Sequence, residues 1–352
     1  MSVLFQPLKL GNLTLTNRII MAPLTRARTE DDRRIPNDLM AHYYAQRASA
    51  GLILSEATSV DPMGVGYANT PGIWSQEQVE GWKKITSEVH AKGGVIFLQL
   101  WHVGRISDPM FLNGKNPVAP SAIAPKGHVS LVRPEKAFVT PRALETNEIM
   151  SIVEAYRQGA MNAKLAGFDG VEVHGANGYL LDQFLQDGSN KRTDQYGGPI
   201  ENRARLLLEV TDACISVWGA DRVGVHLSPR GDSHDMSDSD PLKTFSYVAQ
   251  ELGKRKIAFI FAREYQSGDS IGAALKKAFG GVYIANEKFD QKSAEAIIAQ
   301  GDADAVSFGL PFIANPDLPK RFAESLPLNQ VDFTTLYAQG EKGYTDYPFY
   351  SK

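Results

Sequence analysis

The sequence has few features that would point to an extracellular, membrane or nucleic-acid-binding protein. Its single cysteine, Cys214, excludes an internal disulfide and a cysteine-bound zinc or iron–sulfur cluster. No apolar run approaches the ~18 residues of a membrane helix. The net charge of −3, from 37 Lys and Arg against 40 Asp and Glu, gives no electrostatic footprint for nucleic acid or an anionic membrane. Because the first residues also lack a secretory signal, we expect a soluble, cytoplasmic globular protein.

Three common binding motifs are also missing. The sequence contains no G-x-G-x-x-G, no Walker A motif and no H-E-x-x-H. A doubly wound dinucleotide-binding sheet usually carries its glycine fingerprint after the first strand, where this chain reads Ala22-Pro23-Leu24-Thr25-Arg26. Because this fingerprint is absent, a doubly wound sheet is less favoured than the other α/β architecture, a closed barrel.

Eight short apolar segments alternate with longer helical patterns. Most are near-continuous apolar runs, which are typical of parallel strands covered on both faces. They are residues 17–25, 50–58, 94–102, 169–176, 222–229, 256–264, 280–287 and 303–310. Eightfold strand–helix alternation predicts an α/β protein with the fold of a (β/α)₈ TIM barrel, formed as one domain over residues 1–352.

Helix boundaries can be predicted at several places. Apolar residues recur on one stripe in 145–166 and in 199–218. Ser75 with Gln78 forms a capping-box pattern that opens a helix running to about Lys92. Asp240-Pro241 and Asn315-Pro316 each place a cap residue before a proline at the first helical position. A further helix is predicted over 268–279.

Two segments lie outside this alternation. Residues 8–15 alternate about Gly11-Asn12, which predicts an N-terminal β-hairpin that closes the bottom of the barrel. Residues 103–143 form a long insertion, rich in Gly, Pro and Ser, after the third strand. Because loops of this length in compact domains are often functional, we interpret it as a lid that caps the active site.

The carboxyl ends of barrel strands are where active sites form, so the residues there test the possible chemistries. A Schiff-base aldolase needs a lysine at the carboxyl end of a strand, and none of the eight strand ends supplies one within the strand. A retaining glycosidase needs two close carboxylates, for which Glu56, Glu264 and Glu287 are candidates. No motif indicates a metal site, although several histidines end strands.

The end of the fourth strand is the most informative segment. It reads Val171-Glu-Val-His174-Gly-Ala-Asn177-Gly-Tyr179. His174 and Asn177 can both donate hydrogen bonds to one acceptor, such as a carbonyl oxygen. The phenol of Tyr179 stays protonated at pH 7 and can protonate a carbanionic carbon. A structural histidine and a packing tyrosine explain the same residues, and chemistry alone leaves both interpretations open.

The segment from His174 to Tyr179 and its continuation resemble the old yellow enzyme family of FMN-dependent ene-reductases. The resemblance covers nearly the whole chain and lies closest to the threonine-bearing branch with N-ethylmaleimide reductase and 12-oxophytodienoate reductase. Its further motifs are Met21-Ala-Pro-Leu-Thr25, Tyr43-Tyr44-x-Gln-Arg47, Ser55-Glu-Ala-Thr58, Gln99-Leu-Trp-His102, Asn190-x-Arg-Thr-Asp-x-Tyr-Gly-Gly198, Glu201-Asn-Arg203, Ile313-Ala-Asn-Pro-Asp-Leu318 and Gly343-Tyr-Thr-Asp-Tyr-Pro348.

The resemblance implies a cofactor, a reductant and a set of site residues. FMN would be tightly but non-covalently bound, and NAD(P)H would reduce it in the same pocket. His174 and Asn177 would hold the carbonyl group of an activated alkene (an enone or maleimide, with nitro compounds and nitrate esters as further candidates), and Tyr179 would protonate its α-carbon. The substrate pocket would also involve Tyr67, Trp101 and Tyr344. The flavin would contact Pro23, Leu24, Thr25, Ala57, Gln99, His226, Glu287, Lys288, Gly309 and Leu310.

The chain departs from this family pattern at three places. His226 stands where many relatives have an arginine facing the flavin, so we expect either a pH-sensitive reduction potential or a neutral imidazole that donates one bond. Leu310 replaces an arginine that meets the phosphate in many relatives. Glu287 and Lys288 fall where some relatives have Gly and Asn, which leaves the phosphate ligands open.

Two alternative functions remain at this point. One is a flavin-free barrel lyase or hydrolase that uses Glu56, Glu264 or Glu287. The other is a flavin-binding protein without turnover. In each case the expected partners are small molecules, without a metal, nucleic acid or membrane, and the chain acts as a monomer or homodimer.

Overall fold

A computed structural model describes residues 2–351 of the chain. Eight parallel strands form a ring in which each strand pairs with the next, and the eighth pairs with the first. We number these barrel strands β1 (Ile19–Met21), β2 (Leu52–Leu54), β3 (Ile96–Trp101), β4 (Gly170–Gly175), β5 (Val223–Leu227), β6 (Phe259–Arg263), β7 (Val282–Asn286) and β8 (Ala305–Phe308). The predicted (β/α)₈ barrel is therefore confirmed.

Helices follow the strands and surround the ring. They are α1 (Asp38–Gln46), α2 (Gln76–Ala91), α3 (Thr146–Leu165), α4 (Leu180–Leu185), α5 (Ile200–Arg203), α6 (Arg205–Trp218), α7 (Pro241–Arg255), α8 (Gly272–Phe279), α9 (Gln291–Gln300), α10 (Leu310–Ala314) and α11 (Leu318–Ala323). The capping box of Ser75 and Gln78 and the cap at Asp240 are both confirmed. The predicted helix over 199–218 is divided into α5 and α6 at Ala204.

The predicted helix start at Asn315-Pro316 is wrong. The backbone N–H and the side-chain amide of Asn315 both donate to the carbonyl of Pro311, at 3.0 and 2.8 Å, so Asn315 closes α10. The next helix, α11, begins two residues later than predicted, after Asp317. Asparagine can cap either end of a helix, and here the side chain of Asn315 bonds back to the preceding helix.

The barrel strands are shorter than the apolar segments that predicted them. The first segment was predicted to run to Thr25, but the paired strand β1 ends at Met21. Residues 22–25 continue beyond the ladder and line a cavity at the carboxyl end of the ring. Hydrophobicity continues past the end of the strand because Ala22, Pro23 and Leu24 form an apolar part of the cavity wall.

The N-terminal hairpin closes the amino end of the ring. Its antiparallel strands, Leu8–Leu10 and Leu13–Leu15, place three buried leucines against the barrel interior. These leucines form one apolar cluster with residues of β1, β2, β3, β6, β7 and β8. The predicted plug at the bottom is therefore confirmed, and the open end of the barrel is the carboxyl end.

A larger apolar cluster lies between the barrel wall and the helices. Cys214 belongs to this cluster and is fully buried on α6, and that burial raises the pKa of its thiol to about 12. The thiol therefore packs as an apolar group, as its position on the helix stripe predicted. No helix in the described part of the chain has both the length and the apolar character needed to cross a membrane.

Gly11 in the hairpin turn allows us to test the contribution of this plug. Its φ of +56° is in the left-handed region, and a Cβ there would lie 2.1 Å from the carbonyl oxygen of Asp221. Gly114, at φ +80°, has open space around its own Cβ position. We expect Gly114→Ala to cost about 1 kcal/mol through backbone strain alone. Gly11→Ala should cost about 1–3 kcal/mol more, because the hairpin must move away from Asp221. Thermal unfolding of both variants measures the difference, and equal shifts would contradict a tightly seated hairpin.

Candidate active site

A cavity of about 530 Å³ opens at the carboxyl ends of the barrel strands. This is the end at which barrel enzymes place their active sites. The cavity is lined by residues that lie on or follow seven of the eight strands, by the insertion after the remaining strand, β3, and by the C-terminal segment. They are Ala22, Pro23, Leu24, Thr25, Tyr67, His128, Ser130, Leu131, Asn177, Tyr179, His226, His234, Phe261, Arg263, Asn286, Gly309 and Tyr337.

A tight turn after β4 aims the predicted catalytic side chains at this cavity. Asn177 and Gly178 both have positive φ, +56° and +79°, so the chain reverses between β4 and α4. Asn tolerates this conformation better than most residues. A Cβ on Gly178 would lie 2.8 Å from atoms of three residues in the loop after β5, including His234, so glycine is required there. The turn brings Tyr179 to the position that caps α4.

His174 and His226 form a buried stack beneath the cavity. They are neighbours in the β4–β5 register, and their rings lie 4.9 Å apart with an interplanar angle of 9°. Burial, together with the charges of His234 and Arg263, lowers the pKa of His174 to about 3. Burial also lowers the pKa of His226 well below 6.5, with further contributions from His174 and Arg263. Both imidazoles are therefore neutral at physiological pH.

The hydrogen bonds of His226 determine where its proton lies. The side-chain amide of Gln99 donates to Nδ1 of His226 at 3.1 Å, which places the proton on Nε2. That buried Nε2 has no partner in the protein, and neither does Nδ1 of His174. Buried polar atoms are rarely left unpaired, so these two atoms point to a ligand. These surroundings favour the neutral, donating imidazole over the pH-sensitive one that the sequence left open.

Glu172 lies behind this stack and was not singled out by the sequence analysis. Its carboxyl group is fully buried and accepts a hydrogen bond of 2.7 Å from the amide of Gln99, while its second oxygen has no partner. Burial outweighs this bond and raises the pKa of Glu172 to about 8. A charged residue inside an apolar strand was the one signal in the sequence. Glu172 lies inside the strand, whereas the chemistry of a barrel is expected at the strand ends.

Asn177 and Tyr179 complete the polar part of the site. The side-chain oxygen of Asn177 accepts a hydrogen bond of 3.1 Å from Arg263, so its NH₂ group is the part left for a ligand. The hydroxyl of Tyr179 lies 2.8 Å from that of Tyr67. Burial, and then the proximity of Tyr67, raise the pKa of Tyr179 well above 10. This phenol therefore keeps its proton.

Most of the predicted site residues come together around the cavity. Those that line it are Pro23, Leu24, Thr25, Tyr67, Asn177, Tyr179, His226 and Gly309. Trp101 and Ala57 belong to a small apolar cluster against which Tyr67 and Tyr179 pack. The rings of Trp101 and Tyr179 meet edge to face at 5.0 Å, which fixes the orientation of the phenol.

Eight predicted residues are not among those that line the cavity. Four of them contact lining residues: His174 stacks on His226, Gln99 bonds to His226, and Trp101 and Ala57 belong to the cluster against which Tyr67 and Tyr179 pack.

The other four predicted residues make contacts of their own. Tyr344 is fully buried and stacks on Tyr43 at 4.0 Å, with the guanidinium of Arg28 4.7 Å from its ring centre. Tyr344 therefore holds the C-terminal segment in place, and Tyr337 from that segment lines the cavity instead. The other three, Leu310, Lys288 and Glu287, lie near the ends of β7 and β8 but make contacts of their own. Leu310 starts α10, the ammonium group of Lys288 lies over the ring of Tyr265, and Glu287 binds Arg263.

Several lining residues were not assigned to the site from the sequence. Arg263 ends β6, and His234 lies in the loop after β5. Ser130 comes from the insertion, and Tyr337 from the C-terminal segment. Only Arg263 carried a usable signal, because it stands at a strand end. The others are brought in by long loops whose path the sequence pattern does not specify.

The carboxylates proposed for a hydrolase are engaged elsewhere. Glu56 accepts hydrogen bonds from the hydroxyl of Tyr44 and the backbone N–H of Arg26, at 3.2 and 3.3 Å. Glu264 pairs with Arg230 at 2.6 Å. Between residues 2 and 351, no aspartate or glutamate lines the main cavity. The pair of catalytic carboxylates that this alternative needs is therefore not formed.

Comparison with known proteins identifies the same family across the chain. The sequence model of the NADH:flavin oxidoreductase / NADH oxidase family matches residues 3–329. A probable flavin mononucleotide-dependent alkene reductase of Leishmania infantum is 44% identical, over 99% of this chain and 97% of that protein.

Solved structures agree with this match. An old yellow enzyme homologue from Zymomonas mobilis superposes with a TM-score of 0.95 at 45% identity, covering 98% of this chain and 99% of its own. Morphinone reductase in complex with tetrahydroNAD superposes with a TM-score of 0.95 at 50% identity, covering 99% of this chain and 98% of its own.

The buried carboxyl of Glu172 predicts how stability changes with pH. The folded chain holds this proton up to about pH 8, whereas the unfolded chain releases it near the ordinary pKa of 4.5. The contribution of Glu172 to the free energy of unfolding therefore falls as pH rises from about 4.5 to about 8. We expect Glu172→Gln to leave the melting temperature nearly unchanged at pH 4.5 and to raise it by about 2–4 °C at pH 8.

Glu88→Gln on the exposed face of α2 is the matched control, and we expect no such difference. A gain for Glu172→Gln that is the same at both pH values would contradict the assigned protonation state.

Proposed function

The chain belongs to the NADH:flavin oxidoreductase / NADH oxidase family, and we propose that it reduces the activated C=C bond of α,β-unsaturated carbonyl compounds. It is an NAD(P)H-dependent flavin oxidoreductase with FMN as cofactor. The observation that supports the proposed reaction is the convergence of neutral hydrogen-bond donors and one protonated phenol on a single cavity. Asn177 and Tyr179 supply two of these groups from the cavity lining, and His174 supplies the third from beneath it, stacked on the lining residue His226.

The ring-binding half of the cavity fits an isoalloxazine. A flavin ring presents carbonyl oxygens and ring nitrogens along one edge, and the unpartnered Nε2–H of His226 is a donor for that edge. The hydroxyl of Thr25 lines the same cavity, and Ala22, Pro23, Leu24 and Phe261 give it an apolar wall. We propose that these residues contact the flavin ring. Gln99 holds His226 through its hydrogen bond to Nδ1, and Ala57 lies nearby.

When bound, FMN supplies the redox chemistry, accepting a hydride from NAD(P)H and passing one to the alkene. The chain's own residues prepare the substrate. His174 and the NH₂ of Asn177 hold the carbonyl oxygen and draw electron density from the conjugated double bond. Because His174 is neutral, its contribution is a hydrogen bond and does not depend on pH in the physiological range.

Tyr179 provides the proton for the α-carbon. Its phenol is fully protonated at neutral pH and is held by the edge of Trp101 and by the hydroxyl of Tyr67. Tyr67 and Trp101 also bound the space for the substrate, since their rings stack at 5.4 Å. The Tyr179 side chain therefore acts as a general acid at a fixed position.

The insertion of residues 103–143 is proposed to cap the site. His128, Ser130 and Leu131 from this segment line the cavity, so it covers the bound substrate from the side opposite the barrel. The nicotinamide enters the same cavity, as the complex of morphinone reductase with tetrahydroNAD suggests for this chain. The cytoplasmic location, the monomeric or dimeric state, the single-domain boundaries and the choice among enones, maleimides, nitro compounds and nitrate esters remain predictions.

The experiment that tests this function is a pair of anaerobic half-reactions. We expect the protein with FMN bound to lose its visible flavin absorption on addition of NADPH or NADH and to regain it on addition of cyclohexenone. Loss without recovery would indicate a flavin-binding protein that does not reduce enones. A protein that takes up no flavin would exclude the proposed function.

Tyr179→Phe separates proton donation from hydride transfer. We expect it to slow reoxidation by cyclohexenone by about 100-fold or more, the usual contribution of a general acid, with reduction by NADPH changed less than about 3-fold. Tyr67→Phe removes the neighbouring hydroxyl but keeps the donor, and it should slow reoxidation by less than about 10-fold. Stopped-flow absorbance measures both steps. Equal losses in the two half-reactions of Tyr179→Phe would contradict its role.

A further inference from the structure

One end of the cavity lies beside the ends of β7 and β8, and we call it the far end. It is where a barrel usually binds a phosphate group. Such sites form from the loops after the seventh and eighth strands and the start of a short helix. In this chain those positions are Asn286-Glu287-Lys288 after β7 and Gly309-Leu310 after β8. Asn286 and Gly309 line the cavity, so this end is continuous with the ring-binding half.

The guanidinium closest to this end is already paired inside the protein. Arg263 is the one lysine or arginine, among residues 2–351, whose side chain lines the cavity. Its Nε donates to a carboxylate oxygen of Glu287 at 2.5 Å, and Nη1 donates to Asn177 at 3.1 Å. Arg263 and Asn286 are partners in the β6–β7 register, so the ion pair crosses directly between the two strand ends.

Other cations near this end also have partners. The ammonium group of Lys288 lies 4.6 Å from the ring centre of Tyr265. Arg230 is held by Glu264 and Asp269, both at 2.6 Å. Leu310, 40% exposed, offers no charge at the start of α10. Between residues 2 and 351, the two arginines at this end of the cavity are therefore ion-paired, and Lys288 is engaged by an aromatic ring rather than by a carboxylate.

The backbone at Glu287 has the shape of a turn that normally contains glycine. Glu287 and Lys288 have φ values of +106° and +59°, and two successive non-glycine residues in this region are strained. A glycine in place of Glu287 would leave the space beside Arg263 open. This chain keeps the strained turn and fills that space with a carboxylate.

We infer that Glu287, which stands after β7 just outside the cavity lining, acts as an internal anion on the lining residue Arg263, so that it competes with the 5′-phosphate of FMN for this guanidinium. The inference rests on the proposed function, because it concerns the same cofactor cavity. A phosphate can reach Arg263 only by displacing Glu287 or by lying beside a second negative charge. The chain therefore selects its flavin mainly by the ring, and the phosphate adds little affinity.

The consequence is a weak preference for FMN over riboflavin. A charge-assisted hydrogen bond to phosphate contributes roughly 10- to 100-fold in affinity when the cation is available. We expect the wild-type chain, freed of flavin by dialysis, to bind FMN no more than about 10-fold more tightly than riboflavin. Quenching of flavin fluorescence during titration gives both dissociation constants without any turnover.

Two substitutions at Glu287 test its role directly. Glu287→Gln removes the charge and keeps the size, and Glu287→Gly also relieves the strained turn. Both should tighten FMN binding by about 10-fold or more while changing riboflavin binding by less than about 3-fold. Adding Arg263→Gln to either variant should abolish this gain. Asp232→Asn is the matched control, because it removes an exposed carboxylate from the adjoining pocket but leaves the Arg263–Glu287 pair intact.

The outcomes distinguish this inference from the proposed function. A wild-type chain that binds FMN more than about 100-fold more tightly than riboflavin overturns the inference and leaves the function standing. A Glu287→Gln variant that leaves FMN binding unchanged, or that tightens the binding of FMN and riboflavin equally, also overturns the inference and leaves the function standing. Failure of the wild type and of every variant to bind either flavin overturns the function and the inference together.

Discussion

Burial at the carboxyl end of the barrel determines the charge of almost every group in the candidate site. The stacked imidazoles of His174 and His226, the phenol of Tyr179 and the carboxyl of Glu172 are all held in their neutral forms, and for each of them burial is the largest contribution to the pKa shift. Such a site can donate hydrogen bonds and a proton without carrying a net charge. Its interactions with a polarised carbonyl are strong because water does not screen them.

Arg263 and Glu287 are the exception to this neutrality, and they lie where the cavity opens towards solvent. Their side chains are 41% and 21% exposed, so the pair is accessible as well as charged. Arg263 also orients the amide of Asn177, the group proposed to hold the substrate. If Glu287 competes for Arg263 as proposed, a change at Glu287 acts on cofactor binding first and on the substrate through Asn177 second.

The sequence predicted the barrel and the grouping of His174, Asn177 and Tyr179 at the end of the fourth strand because both depend on local pattern. Eight apolar segments specify eight strands, and the short spacing from His174 to Tyr179 leaves the chain few ways to arrange them. It did not predict Tyr337 or Ser130, whose positions depend on the paths of long loops. Tyr344, which the family resemblance placed at the substrate pocket, does not line the cavity; its ring stacks on Tyr43 and holds the C-terminal segment.

The departure at His226 and the neutral carboxyl of Glu172 are best understood together. Glu172 and His226 approach the same amide of Gln99 from two sides. An arginine at position 226 would place a permanent cation beside the buried carboxyl and favour its ionised form. With histidine there, no cation compensates that charge, so the carboxyl keeps its proton and the imidazole stays neutral. His226 therefore still offers a hydrogen-bond donor to the cavity. The ion pair that an arginine at this position would form with Glu172 is absent from the core. The positive potential beneath the ring site is lower as a result.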